Sequence, residues 1–129
     1  MGSASQKLNL PPGIGRAGEA AARVYVTAEL GYEIVETNFR TREGEIDIIA
    51  KSDSTLVFIE VKTRTNQKFG FGVEQISSRK AQRLQATALR YLEKTSDFDV
   101  DWRIDLLSLR MTKSGQVLHV DHIRNAIEE

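Results

Sequence analysis

The sequence predicts an α/β domain: a central mixed β-sheet of about five strands flanked by helices. Three observations carry this. An alanine-rich segment with helical spacing opens the chain, two runs of alternating apolar residues follow back to back, and a second amphipathic segment separates them from two further β-like runs. The order helix, three strands, helix, two strands suits a sheet packed between helices.

Each element has its own signal. Residues 1–12, ending in Pro11-Pro12, read as a flexible lead-in to a single domain over 13–129. From about Gly15 to Leu30, Ala17, Ala21, Val24 and Ala28 recur at helical spacing, and Gly31 is suited to end the helix. Tyr32 to Arg40 is rich in β-branched and aromatic residues and reads as a strand, with Thr41 to Gly44 as a turn. Glu45 to Lys51 and Thr55 to Thr63 are the clearest strands, joined by Ser52-Asp53-Ser54. A glycine-punctuated loop, Arg64 to Gly72, holds Phe69 and Phe71. Ser77 or Ser78 then caps a helix running to about Lys94, burying Ala81, Leu84, Ala88, Tyr91 and Leu92. Trp102 to Met111 and Gln116 to Val120 are strands about a tight turn at Lys113-Ser114-Gly115, and 121–129 is expected to form a short terminal helix.

Composition narrows the function. The 129 residues contain no cysteine, which removes disulfides and thiolate metal sites. No stretch reaches the roughly 20 apolar residues of a membrane span, and no export signal is evident, so a cytoplasmic location with no membrane partner is expected. Eighteen cations balance 18 acids, against the profile of a tight non-specific polyanion binder. The balance is uneven, however: residues 62–94 hold eight Lys and Arg against Glu74 and Glu93. Such a basic middle can face a polyanion, although taken alone a solvated helix face is the plainer reading.

The chemistry concentrates in the central hairpin. Strand alternation places Ile46, Ile48 and Ala50 on one face and Glu45, Asp47 and Ile49 on the other. In the next strand Val57, Ile59 and Val61 oppose Phe58, Glu60 and Lys62. With Asp53-Ser54 at the hairpin tip, Asp47 is expected opposite Glu60 and Glu45 opposite Lys62. Two opposed carboxylates repel, and a hard divalent cation with oxygen ligands removes that repulsion, which points to magnesium (Mg2+) or manganese (Mn2+). Lys62 then serves to orient or deprotonate a water, or to stabilise developing negative charge. These are the parts that phosphodiester hydrolysis needs.

The strings Gly44-Glu45-Ile46-Asp47-Ile48-Ile49-Ala50 and Val57-Phe58-Ile59-Glu60-Val61-Lys62-Thr63-Arg64 resemble the core of the YraN-type family of small bacterial proteins. That family is assigned to the restriction-endonuclease-like superfamily and is similar to archaeal Holliday-junction resolvases. The resemblance extends to Gly15-x-x-Gly18-Glu19, Gly31-Tyr32, Asn38-Phe39-Arg40 and Lys80, over roughly residues 13–95. It implies a restriction-endonuclease-like fold and a metal-dependent endonuclease acting on DNA rather than RNA, at branched or single-stranded structures. It also implies that Asp47 and Glu60 are metal carboxylates, Lys62 the catalytic lysine and Glu19 a further helix-borne acid. From the residues alone, a first-turn acid favoured by the helix dipole is the plainer reading of Glu19.

Other residues carry paired readings. Arg40, Arg42, Arg64 and Lys80 are candidate nucleic-acid contacts or ordinary surface charge. Glu45 is a spare ligand or the ion-pair partner of Lys62, and Gln75 a secondary candidate from the loop. Phe69 and Phe71 either stack on bases or pin the loop. The glycine pattern at Gly13 to Gly18 lacks the preceding strand of a dinucleotide site, Ser77-x-x-Lys80 is explained by a cap, and His119 and His122 lack a zinc pattern. A homodimer would suit symmetric cutting of two strands, with the strands near Trp102 and Val117 as its interface. The alternatives are a non-cleaving nucleic-acid-binding module of the same fold and a protein-binding adaptor.

Overall fold

A computed structural model describes residues 12–65, 76–97 and 99–127. It contains helix α1 (Ile14–Val24) continued by a π-helical turn (Tyr25–Glu29), and strands β1 (Glu33–Arg40), β2 (Glu45–Ser52) and β3 (Thr55–Arg64). Helix α2 (Ser78–Thr95) and strands β4 (Asp101–Met111) and β5 (Val117–Ile123) complete it. The five strands form one sheet in the order β1-β2-β3-β4-β5. Among the described strands only β3 and β4 run parallel, with α2 in the connection between them, so the sheet is mixed as expected. The architecture is α/β and consistent with a restriction-endonuclease-like fold. None of the described helices is long and apolar enough to cross a membrane.

The sheet separates two cores. On one face Ala22 and Val26 of the first helical segment pack against Ile48, Ala50, Val57, Ile59, Val61, Leu107 and Leu109. On the other, Leu84, Ala88, Tyr91 and Leu92 of α2 cover Phe39, Ile46, Ile49, Phe58 and Ile104. The α2 helix starts as predicted, with Ser77 Oγ accepting the Lys80 N–H at 3.2 Å. Its buried set gains Thr87, while Ala81 is only half-buried.

The first helix is rotated from the expected setting. Ile14, Gly18, Ala22 and Val26 are buried, Ala17 and Ala21 are half-buried, and Val24 and Ala28 face solvent. Gly18 sets this rotation, because a Cβ there would collide with Oγ1 of Thr63 on β3. The last turn widens into π geometry where Thr27 Oγ1 donates back to the Arg23 and Val24 carbonyls, and Gly31 at φ 70° ends it.

At the other terminus the expected helix over 121–129 is replaced by strand as far as Ile123, followed by a turn. His122 Nε2 lies 2.8 Å from Asp105 Oδ2, and the Asn125 N–H donates to Asp105 Oδ1 at 2.9 Å. These contacts hold the segment against β4. Residues 128–129 lie outside the described residues.

Candidate active site

The hairpin register agrees with expectation from Ser52–Thr55 to Ile48–Ile59, and there the β2–β3 ladder ends. Where the next pairing would form, Oδ2 of Asp47 accepts the Val61 N–H at 2.8 Å. The carboxylate thus takes a backbone donor of β3, and the facing of Asp47 with Glu60 and of Glu45 with Lys62 is not made as ladder pairs. Alternation also breaks at this point. Ile46 packs with Ile49 and Phe58 on the α2 face, whereas Ile48 and Ala50 are on the α1 face, so Ile46 does not share their side as expected. Across from Asp47, Asn38 of β1 adopts a left-handed conformation, φ 54°, which asparagine tolerates better than most residues. Asp47 is 6% exposed, so an acid is buried in a local break of the sheet.

On β3 alternation is regular. Val57, Ile59 and Val61 pack towards α1, and Phe58 packs towards α2. Glu60, Lys62 and Arg64 therefore share the α2 face. Lys80, in the first turn of α2, brings Nζ to 2.6 Å from Oε2 of Glu60, with both side chains largely buried. The approach is coulombic: Lys80 Nζ has no partner in hydrogen-bond geometry. Burial lowers the pKa of Lys62, and the nearby charges of Arg64 and Lys80 lower it further, against an opposing effect of Glu60. Glu60, Lys62, Arg64 and Lys80 thus lie together near the start of α2, and Asp47 is held at the backbone of Val61, between Glu60 and Lys62 in sequence.

The remaining predicted residues fall around this point. Glu19 follows Gly18, whose contact with Thr63 seats α1 against β3 beside Lys62. No group of three or more His, Asp or Glu residues able to hold a metal is gathered among the described residues. Glu45 pairs across β1–β2 with Arg40, whose Nε lies 3.4 Å away, and the charges acting on Lys62 are those of Arg64, Lys80 and Glu60. Arg40 and Arg42 line a separate groove of about 670 Å³ with Phe39, Thr41, Glu43, Arg90, Glu93 and Lys94. Its cations are largely matched. Arg90 forks onto Glu43 at 3.2 and 3.1 Å and holds that carboxyl below its ordinary range, and Lys94 Nζ lies 4.0 Å from Glu36. Glu60 and Lys80 are not part of this groove's lining. Gln75, Phe69 and Phe71 lie outside the described residues.

Sequence reasoning missed a second buried cluster on the α1 face. Asp105, fully buried, receives Arg103 Nε at 3.0 Å as well as His122 and the Asn125 N–H, and Arg103 also donates to Tyr32 Oη at 2.9 Å. His122 is thus a partner of Asp105. The register of β4 with β5, which sets Leu107 against His122, was the only signal for it.

The profile of the Uncharacterised protein family UPF0102 matches residues 18–109. The chain is 41% identical over 115 residues to a UPF0102 protein of Geobacter metallireducens, covering 89% of this chain and 92% of that one. It is 38% identical over 113 residues to one of Caldicellulosiruptor saccharolyticus, covering 88% and 95%. A UPF0102 protein of a Parafrankia species is 41% identical over 113 residues, covering 88% and 94%.

Proposed function

The chain belongs to the UPF0102 family, and on that footing we propose that it is a metal-dependent endonuclease hydrolysing DNA phosphodiester bonds at branched or single-stranded structures. One observation carries the reading: the Asp47 carboxylate is bonded to the Val61 N–H, between Glu60 and Lys62 in sequence. An acid of β2 is thereby fixed beside an acid and a lysine of β3. A fold selected for stability alone gains little from this, since burying carboxylates near each other is costly unless a cation is shared.

The donor set fits a hard divalent ion. Asp47 and Glu60 offer carboxylate oxygens, the ligands that Mg2+ and Mn2+ prefer. Glu60 already receives a cation, the Lys80 ammonium. In this reading Asp47 and Glu60 hold the metal, with Glu19 a further ligand candidate from α1. When bound, the metal supplies Lewis-acid polarisation of the phosphoryl oxygen. Lys62 contributes its Nζ: with its proton held less tightly than usual, it orients the attacking water and stabilises charge on the phosphoryl oxygens. Lys80 and Arg64 add positive charge on the same face and favour an anionic substrate.

The test is cleavage of labelled duplex, single-stranded, flap and four-way-junction DNAs with magnesium, manganese or chelator. Wild type would be compared with Glu60→Ala and Lys62→Ala. Metal-dependent cutting of one substrate, lost in both variants, is the expected result. Absence of cutting, with metal-independent binding unchanged in the variants, would overturn cleavage and leave a nucleic-acid-binding module.

A further inference from the structure

Beyond Glu60 and Lys62, the same face of the sheet carries a row of basic side chains. Strand register pairs Arg64 of β3 with Arg110 of β4, and Arg110 with His119 of β5. Directly paired residues share a face of the sheet. Leu107, Leu109 and Met111 pack into the α1-side core and Ile104 into the α2-side core, which puts Arg110 on the α2 face with Glu60, Lys62 and Arg64. Val120 packs against the α1-side core, so His119 also lies on the α2 face. The row crosses three strands and starts two residues from Lys62.

Two features of the row oppose folding. Arg64 and Arg110 are like charges in direct register, an arrangement that destabilises a strand pair. Nε of Arg110 is buried without a hydrogen-bond partner among the described residues, and a buried guanidinium nitrogen of that kind carries a desolvation cost. His119 is held by Asp121, whose Oδ1 lies 2.8 Å from Nε2, and both remain about half exposed. Arg103 on the same strand is answered by Asp105 at 3.0 Å; an anionic ligand would answer the open Arg110 nitrogen.

We propose that Arg64, Arg110 and His119 seat the phosphate backbone of the nucleic-acid strand that runs away from the scissile phosphate, across β3, β4 and β5. The proposal rests on the nuclease reading for the nature of the strand and adds Arg110 and His119, which that reading does not use. With strands about 4.8 Å apart, the row spans roughly 10 Å. At an axial rise of about 3.4 Å per phosphate of one strand, that length meets two or three phosphates. Guanidinium forks are suited to such contacts and carry no base preference, so the row sets position rather than sequence.

The test measures binding of a labelled single-stranded DNA by anisotropy over a range of salt. It uses the Glu60→Gln protein in chelator, so that nothing is cut. Arg110→Gln is expected to weaken binding about tenfold and to reduce the slope of log affinity against log salt by about one. His119→Gln should weaken it less, Arg110→Lys should keep the slope, and Lys51→Ala at the far end of β2 should change nothing. Melting temperature should hold or rise in Arg110→Gln, because the lost group includes an unanswered nitrogen. Unchanged affinity and slope in Arg110→Gln would overturn the row, as would a loss of binding that tracks a fall in melting temperature. Full competition by millimolar inorganic phosphate would reduce it to a small-anion site and overturn the backbone assignment. If the Glu60→Gln protein and wild type bind no nucleic acid, the nuclease reading falls and the row with it. If wild type cuts normally and only the Arg110 variants behave as wild type, the row alone falls.

Discussion

Two aspartates are buried among the described residues, Asp47 at 6% exposure and Asp105 at 0%, and they sit in opposite circumstances. Asp105 is surrounded by donors: Arg103, His122 and the Asn125 N–H all reach its two oxygens within 3.0 Å. Those contacts tie β4 to β5 and to the turn after it, and the carboxylate acts as a structural rivet. Asp47 receives the Val61 N–H at a point where the β2–β3 ladder stops, with Glu60 and Lys62 as that residue's chain neighbours. The sheet gives up regular β2–β3 pairing and alternation there, while at Asp105 the β3–β4 ladder continues on both sides and the β4–β5 ladder begins at the next residue. Burial alone does not tell the two apart. What separates them is whether the surrounding fold is completed by the acid or interrupted by it.

The largest test of that contrast is the same isosteric change at both positions. Asp47→Asn keeps an oxygen for the Val61 N–H, so stability should move by no more than about 1 kcal/mol, whereas cleavage should fall by on the order of 10³-fold. Asp105→Asn should do the reverse. With Arg103 and His122 left facing a neutral group, stability should drop by on the order of 3 kcal/mol, with cleavage per folded molecule retained. Urea denaturation and cleavage assays on the two proteins would decide it. Equal loss of stability at both sites would mean that Asp47 is a second rivet.

The contrast also explains what the sequence made legible. The hairpin was readable because two apolar runs, Ile48 to Ala50 and Leu56 to Ile59, flank a short polar tip, and the register followed. The break at Asp47 was not, because a side chain capping a neighbouring strand leaves no periodic trace. Asn38, a residue that tolerates left-handed geometry in a strand otherwise rich in β-formers, was the available hint. Lys62 and Glu60 were legible as same-face neighbours, but the approach of Lys80 to Glu60 depends on where α2 begins over the sheet. The Asp105 cluster joins residues 17 apart along the chain and appears only once β4 and β5 are aligned. The exposure of Val24 is likewise a tertiary result, since helical spacing allowed it a buried place that the close approach of Gly18 withdrew.

That approach gives a second way to sharpen the comparison, through the far side of the site. Gly18→Ala inserts a methyl where Thr63 Oγ1 lies, one residue from Lys62. Overpacking of this kind costs about 1–3 kcal/mol and shifts backbone. The expected result is a moderate loss of stability together with reduced cleavage, because α1 and the end of β3 move apart. Thr63→Ala should restore much of both in the double variant, a coupling that a double-mutant cycle reads directly. The Asp105 cluster should not respond, so its contribution should add independently to the Gly18 effect. Non-additivity between Gly18→Ala and Asp105→Asn would mean that the two regions are mechanically one.

The smallest expected effect concerns acid, and it applies to the rivet. Burial alone pushes the Asp105 carboxyl up, but the hydrogen bonds from His122, the Asn125 N–H and Arg103 together outweigh it, and the pKa lies below the ordinary value of 3.8. The folded state therefore binds fewer protons at this position than the unfolded one, and the ionised form is what stabilises the fold. That contribution is complete above the unfolded-state pKa and is lost as pH falls through the lower, folded one. A single such group changes stability by at most about 1.4 kcal/mol per pH unit. The measurable quantity is the stability difference between wild type and Asp105→Asn, in which titrating groups that do not touch Asp105 largely cancel. It should shrink steadily as pH falls below 3.8. A difference independent of pH down to the acid transition would mean that the carboxylate's charge contributes nothing to the cluster and that its shape alone holds β5 in place.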